Sequence, residues 1–139
     1  MSRLPTEITS RKYLRAAIQR LDAAQALFKL HMNLDAIYLA GYSVECALKS
    51  LILERTAASD KSRTLGSFRG RRGHDLGGLK DLLARRHCRV PTEIVPHIAR
   101  VETWSTELRY EVGRIPDSEA ELFLSSSHKI LHWVQRSAL

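Results

Sequence analysis

From Thr9 or Ser10 to about His31, apolar residues recur at spacings of three and four, at Leu14, Ala17, Ile18, Leu21, Ala24, Leu27, Phe28 and Leu30. That is the period of a helix with one buried face and predicts a first helix. Asn33 reads as an N-cap, and from Leu34 to about Arg55 the chain turns apolar nearly all round. A helix of this kind is packed on several sides at the centre of a bundle. Its small residues Ala40, Gly41, Ser43 and Ala47 would let another helix, of this chain or of a second copy, come close. Between Thr56 and Gly73 the apolar period is lost and Ser, Arg, Gly, Asp and Lys take over, which predicts a long surface loop.

His74-Asp75 introduces Leu76, Leu79, Leu82 and Leu83, a short amphipathic helix whose closing Arg85-Arg86 suits a helix C-terminus. Pro91 and Glu93 open a fourth helix carrying Ile94, Ile98, Val101 and Trp104, with Pro96 in its first turns or at a kink. Residues 108–116 look irregular. A last helix starts at Pro116-Asp117-Ser118-Glu119 and carries Leu122, Phe123, Ser126, Ile130, Leu131, Trp133 and Val134 along its apolar side. Strand signals are confined to Arg89-Val90 and Tyr110–Val112. The expected fold is all-α: an up-and-down bundle of about five helices with a long basic loop between helices two and three.

A length of 139 residues makes residues 1–139 a single domain, large enough for a self-sufficient core. Seven glycines and four prolines are too few for a sheet protein built on turns. Cys46 and Cys88 stand far apart in different contexts, so neither a disulfide framework nor a zinc spacing can be drawn and a reducing cytoplasm is expected. The opening residues lack an apolar core and include Glu7, which argues against a secretory leader. Residues 36–53 approach membrane-span length, but Glu45 and Lys49 lie inside, and we read a buried helix rather than a span.

The net charge of +7 is not evenly spread. Residues 55–89 hold ten Lys or Arg against three Asp, and the rest of the chain balances. Within this segment Arg69, Arg71 and Arg72 share a glycine-containing stretch, a way to contact phosphate or an acidic partner; a merely solvated loop is the alternative. Glu45, inside the most apolar helix, needs a partner. Lys49 is one, four residues on, and Arg109 is nominated as a second. The set is either a structural staple or a ligand-binding pair.

Other constellations carry less. His128 and His132 have the i, i+4 spacing of a two-histidine metal site, but no third ligand accompanies them. His87-Cys88 has arginines around it and no orienting third residue. His31 and His97 carry no assignable role. Arg69 and His74 form an Arg-x4-His arrangement, in which histidine could move a proton and arginine could stabilise a phosphorane; capping or loop ordering by His74-Asp75 is the competing role.

The run Ala36–Lys49, then Gly73-His-Asp-Leu76, then Trp104 with Leu108-Arg-Tyr-Glu111 resembles a small prokaryotic HEPN domain over roughly residues 10–136. The resemblance implies a helical bundle, often a homodimer, tied to nucleotide or RNA chemistry. It also implies a pairing with minimal nucleotidyltransferases in toxin–antitoxin or defence systems. Many such toxins are ribonucleases using Arg, four to six residues, then His at the start of the last helix. Here no histidine follows Arg109 or Arg114 in that window.

By position the resemblance carries over Glu45, Lys49, His74, Arg109 and Tyr110. The expectation is therefore a non-catalytic, cytoplasmic, homodimeric binding subunit for nucleotide, RNA or a nucleotidyltransferase, needing no cofactor or metal, with Arg69, Arg71 and Arg72 meeting phosphate or partner. The alternatives are a metal-independent endoribonuclease using His74 with Arg69 or Arg109, and a purely structural dimerisation module.

Overall fold

The first apolar period becomes α1, Ile8–Lys29, and the stretch after it α2, Asn33–Glu54. The computed structural model describes residues 8–105, 108 and 110–137, with the side chains of Arg71 and Arg72 excluded. The opening residues 1–7, read above against a leader, and Arg109 thus lie outside the described residues. The chain reverses between α1 and α2 over Leu30–Met32. The N–H groups of Leu30 and Met32 both donate to the Leu27 carbonyl, at 3.1 and 2.9 Å, and His31 adopts a left-handed φ of 61°.

Asn33 is not the cap expected of it. Met32 occupies that position, and the Asn33 amide instead donates to the Ile115 carbonyl at 2.8 Å and to Asp117 Oδ1 at 2.7 Å. A side chain suited to capping has been used to tie the start of α2 to the start of the last helix, which sequence spacing could not foresee.

The small residues of α2 are used within the chain. Ser43 Oγ donates to the Ala17 carbonyl at 2.7 Å, and Ser10 and Ser50 donate reciprocally to each other's carbonyls at 2.8 Å. Between them Leu14, Ala17, Leu21 and Ala24 of α1 meet Ala36, Ala40 and Ala47 of α2, all buried. Short side chains let the two backbones approach, and the hydroxyls satisfy themselves on carbonyls, so these buried polar groups are not stranded. α2 packs against α1, α4 and α6, which is why it is apolar on nearly every side. By length and composition α2 could cross a membrane, but its most apolar window is 78% buried inside the protein; it is the core helix.

The stretch read as one long loop is partly helical. A 3-10 turn at Ala58–Asp60 leads into α3, Lys61–Ser67, and a second 3-10 turn spans Arg71–His74. Two buried anchors, Thr64 and Phe68, suffice to seat the segment, and they are too sparse to show as a period. Arg86 secures it, donating from Nε to Thr56 Oγ1 at 3.3 Å and from Nη2 to Thr64 Oγ1 at 3.1 Å. α4, Leu76–Arg85, follows, capped by Asp75, whose carboxylate accepts the Gly77 N–H at 3.1 Å.

α5 is Val95–Val101, with Pro96 in its first turn, where a missing N–H costs nothing. α6 is Asp117–Ser137. The described residues therefore hold six α-helices and no strand, including none at Arg89-Val90 or Tyr110–Val112.

Gly41 fixes how the chain after α5 closes on the bundle. A Cβ at this position would overlap the indole of Trp104, which is 4% exposed and donates from Nε1 to the Tyr38 carbonyl at 3.0 Å. Gly41→Ala is expected to displace Trp104 and destabilise the protein by about 1–3 kcal/mol, the usual cost of overpacking. Urea denaturation followed by tryptophan fluorescence measures it, and an unchanged midpoint would show that the indole does not sit on this glycine.

Candidate functional site

Glu45 projects from the middle of α2 and is 3% exposed, with Lys49 one turn on at 4%. Lys49 Nζ donates to Glu45 Oε2 at 2.9 Å, the favourable order for an i, i+4 pair. The other carboxylate oxygen, Oε1, lies 2.8 Å from His74 Nδ1. Both oxygens thus meet a nitrogen donor, which is what a buried carboxylate requires to stay ionised.

The ammonium has further support. It lies 5.3 Å from the Phe68 ring centre and 5.9 Å from that of Tyr13, two rings that meet edge-on at 5.8 Å. Aromatic faces attract a desolvated cation. Phe68, at the end of α3, and Tyr13 of α1 therefore close the cluster from two sides.

His74 arrives from the chain rather than from a long helix, so its position depends on the backbone before it. Gly70 takes a left-handed φ of 77°. Gly73 is pressed so close to the Phe68 carbonyl that a Cβ would overlap backbone atoms. These two glycines turn the segment inward and deliver the imidazole to Glu45. The Tyr42 ring meets that of His74 edge-on at 6.1 Å and that of Trp104 at 4.9 Å.

The imidazole is only half covered, its side chain 38% exposed. With Nδ1–H donating to Glu45, the tautomer is set and Nε2 is left without a hydrogen-bond partner among the described residues. The arrangement can offer an oriented, solvent-open imidazole, able to accept or donate at Nε2, above a neutralised ion pair.

Of the other candidate residues, Arg69 is exposed, and no hydrogen bond or ion pair joins it to His74 or Glu45 among the described residues. Arg109, nominated as the second cation on Glu45, lies outside the described residues; the second nitrogen found on that carboxylate is His74. Tyr110 is 74% exposed. The arginine-rich segment also spends some of its charge internally. Arg86 holds Thr56 and Thr64, Arg55 Nη2 donates to the Ser137 carbonyl at 3.1 Å, and Lys80 pairs with Glu102.

His87 and Cys88 do not form a reactive pair, since Cys88 is buried in the core while His87, at a left-handed φ of 60°, is exposed. Cys46 is inert for a different reason: burial, followed by the nearby Glu45 charge, pushes its thiol up to about 11. No cluster of three or more metal-ligating residues occurs among the described residues. Within the cluster, the contact that spacing could not foresee is the Glu45–His74 bond, between residues 29 positions apart.

A family model described as HEPN domain matches residues 10–137. The crystal structure of TT1696 from Thermus thermophilus is similar to this chain, with a TM-score of 0.71 and 26% identity, over 94% of this chain and 99% of that one. No curated protein matches.

The cluster makes a stability prediction. Glu45→Ala should cost about 3 kcal/mol, because it strands the Lys49 ammonium inside the protein. Glu45→Met combined with Lys49→Met should recover most of that loss, since an apolar pair of similar volume leaves no buried charge. Urea denaturation of the wild type and both variants checks this; a single variant as stable as wild type would mean that the pair is not desolvated.

Proposed function

The chain belongs to the HEPN domain family, and from that premise we propose that it is a binding subunit that engages the phosphates of RNA or a nucleotide with His74 and the basic segment 61–74, without cleaving them. The observation that carries this reading is the half-exposed His74 imidazole, held by a buried Glu45–Lys49 pair at the end of the segment bearing Arg69, Arg71 and Arg72. With Nδ1–H on Glu45, the ring meets a phosphate oxygen as the doubly protonated imidazolium, whose Nε2–H then donates to it, and the exposed Arg69 guanidinium adds further positive charge. The proposal includes a cytoplasmic homodimer working beside a minimal nucleotidyltransferase in a toxin–antitoxin or defence setting, which rests on what the family resemblance implies.

Phosphodiester cleavage without metal needs two devices, a group that moves a proton and a cation that meets the charge developing on phosphorus. The first is built at His74. For the second, Arg69 makes no hydrogen bond to His74 among the described residues, and no histidine follows Arg109 or Arg114 at the spacing that the ribonuclease members use. The Glu45–His74 bond nevertheless supports a second reading, a metal-independent endoribonuclease, because a carboxylate that fixes the tautomer of an imidazole is also how a general base is prepared.

Incubation with an RNA pool in EDTA, read by gel shift and by cleavage, separates the two. The expected result is retention of intact RNA with a salt-dependent affinity. Replacing Arg69, Arg71 and Arg72 by Ala should flatten the slope of log affinity against log salt by about 2, the loss of three contacts to single-stranded phosphates. Unchanged binding would remove the segment from the interface. Cleavage that His74→Ala abolishes, with the fold retained, would establish the ribonuclease instead.

A further inference from the structure

α5 and the C-terminal half of α6 wall an open groove of about 550 Å³ that shares no residue with the Glu45–His74 cluster. It is lined by Glu93 and His97 on one side and by His128, Lys129, His132 and Arg136 on the other. The α6 residues line up because 128, 132 and 136 are successive i, i+4 positions on one helix face.

His97 is anchored by Ser126, which is fully buried beneath the groove. Ser126 Oγ accepts from Arg100 Nη1 at 2.8 Å and lies within hydrogen-bond distance of His97 Nδ1, 3.0 Å away. One hydroxyl thus links His97 to Arg100 beneath the groove.

Every polar lining group except Glu93 can donate hydrogen bonds or carries positive charge. We propose that this groove is a binding site for a phosphate-class oxyanion, as a small phosphate ester or inorganic phosphate. Its volume falls in the range of small-ligand sites, about 300–1,000 Å³. A phosphate group offers three or more acceptor oxygens, enough to take donors from both helices at once.

The field in the groove agrees with this. Burial, then the charges of Lys129 and Arg100, holds His97 below its ordinary value. Burial likewise holds His128 down, opposed by Asp22 on α1. The groups around these rings are Glu93 before α5, Arg100 on α5, Glu121, Lys129, His132 and Arg136 on α6, and Asp22 with Gln25 on α1, where Gln25 Oε1 lies 3.3 Å from His128 Nε2. An anion seated among them favours the protonated imidazoles, so it must raise their titration points, and the gain in affinity on acidification is the reciprocal effect.

The test follows the imidazole signals of all six histidines by NMR against pH, with and without inorganic phosphate or ribose 5-phosphate, at constant ionic strength in chloride. The expected result is an upward shift of His97, His128 and His132 with His87 unmoved. Tighter binding of ribose 5-phosphate would identify an ester as the ligand, and equal binding the free anion. Lys129→Ala with Arg136→Ala, both at exposed positions, should weaken binding about tenfold. No shift at the three groove histidines, an equal shift at all six, or undiminished affinity in the double variant would overturn the site. A shift at His74 alone would bear on the RNA reading and count against the groove.

Discussion

A carboxylate in the most apolar helix of the chain must be neutralised where it stands, and the way Glu45 is neutralised organises one side of the molecule. One oxygen takes Lys49 from the same helix and the other takes His74 from the segment that precedes α4. Lys49 in turn is covered by Phe68 and Tyr13. The cluster thereby draws in α1, the end of α3 and the turn before α4. Removing one partner from such an arrangement is more damaging than never having built it, because the survivor remains buried and charged.

The glycines and serines around α2 show how this packing is reached without stranding the hydroxyls. Ser43 and Ser50 return their hydrogens to α1 carbonyls or share them with Ser10, while Gly41 leaves room for Trp104. α2 is thus close-packed on one side through small residues and on another through an indole. Both demand near contact, and neither tolerates added volume.

The basic segment has two roles that its composition merges. Arg55 and Arg86 hold the protein together, the first at the end of α6 and the second at Thr56 and Thr64. Arg69 stays exposed on the surface. A net charge counts these alike, although only charges left uncommitted by the fold can attract a polyanion at little cost. The groove between α5 and α6 lies outside this segment altogether, and its histidines come from two different helices.

The periodicity of apolar residues determined α1, α2, α4 and α6 nearly to their ends, because a helix that buries one face must repeat its apolar residues every three to four positions. It missed α3, a seven-residue helix with a single buried residue inside it, Thr64, too short for any period to register. It also gave Asn33 the role of a cap, when the side chain binds Ile115 and Asp117 from the far end of the sequence.

For the site, the sequence named Glu45 and Lys49 as a pair, since i, i+4 geometry is local, and the family resemblance added His74 to the set. That His74 is the second nitrogen on Glu45, and that His97 meets Ser126 beneath a groove shared with His132, were decided by tertiary structure alone. Contacts between residues so far apart in the chain depend on how helices pack and where glycines turn the backbone, and no local spacing encodes either.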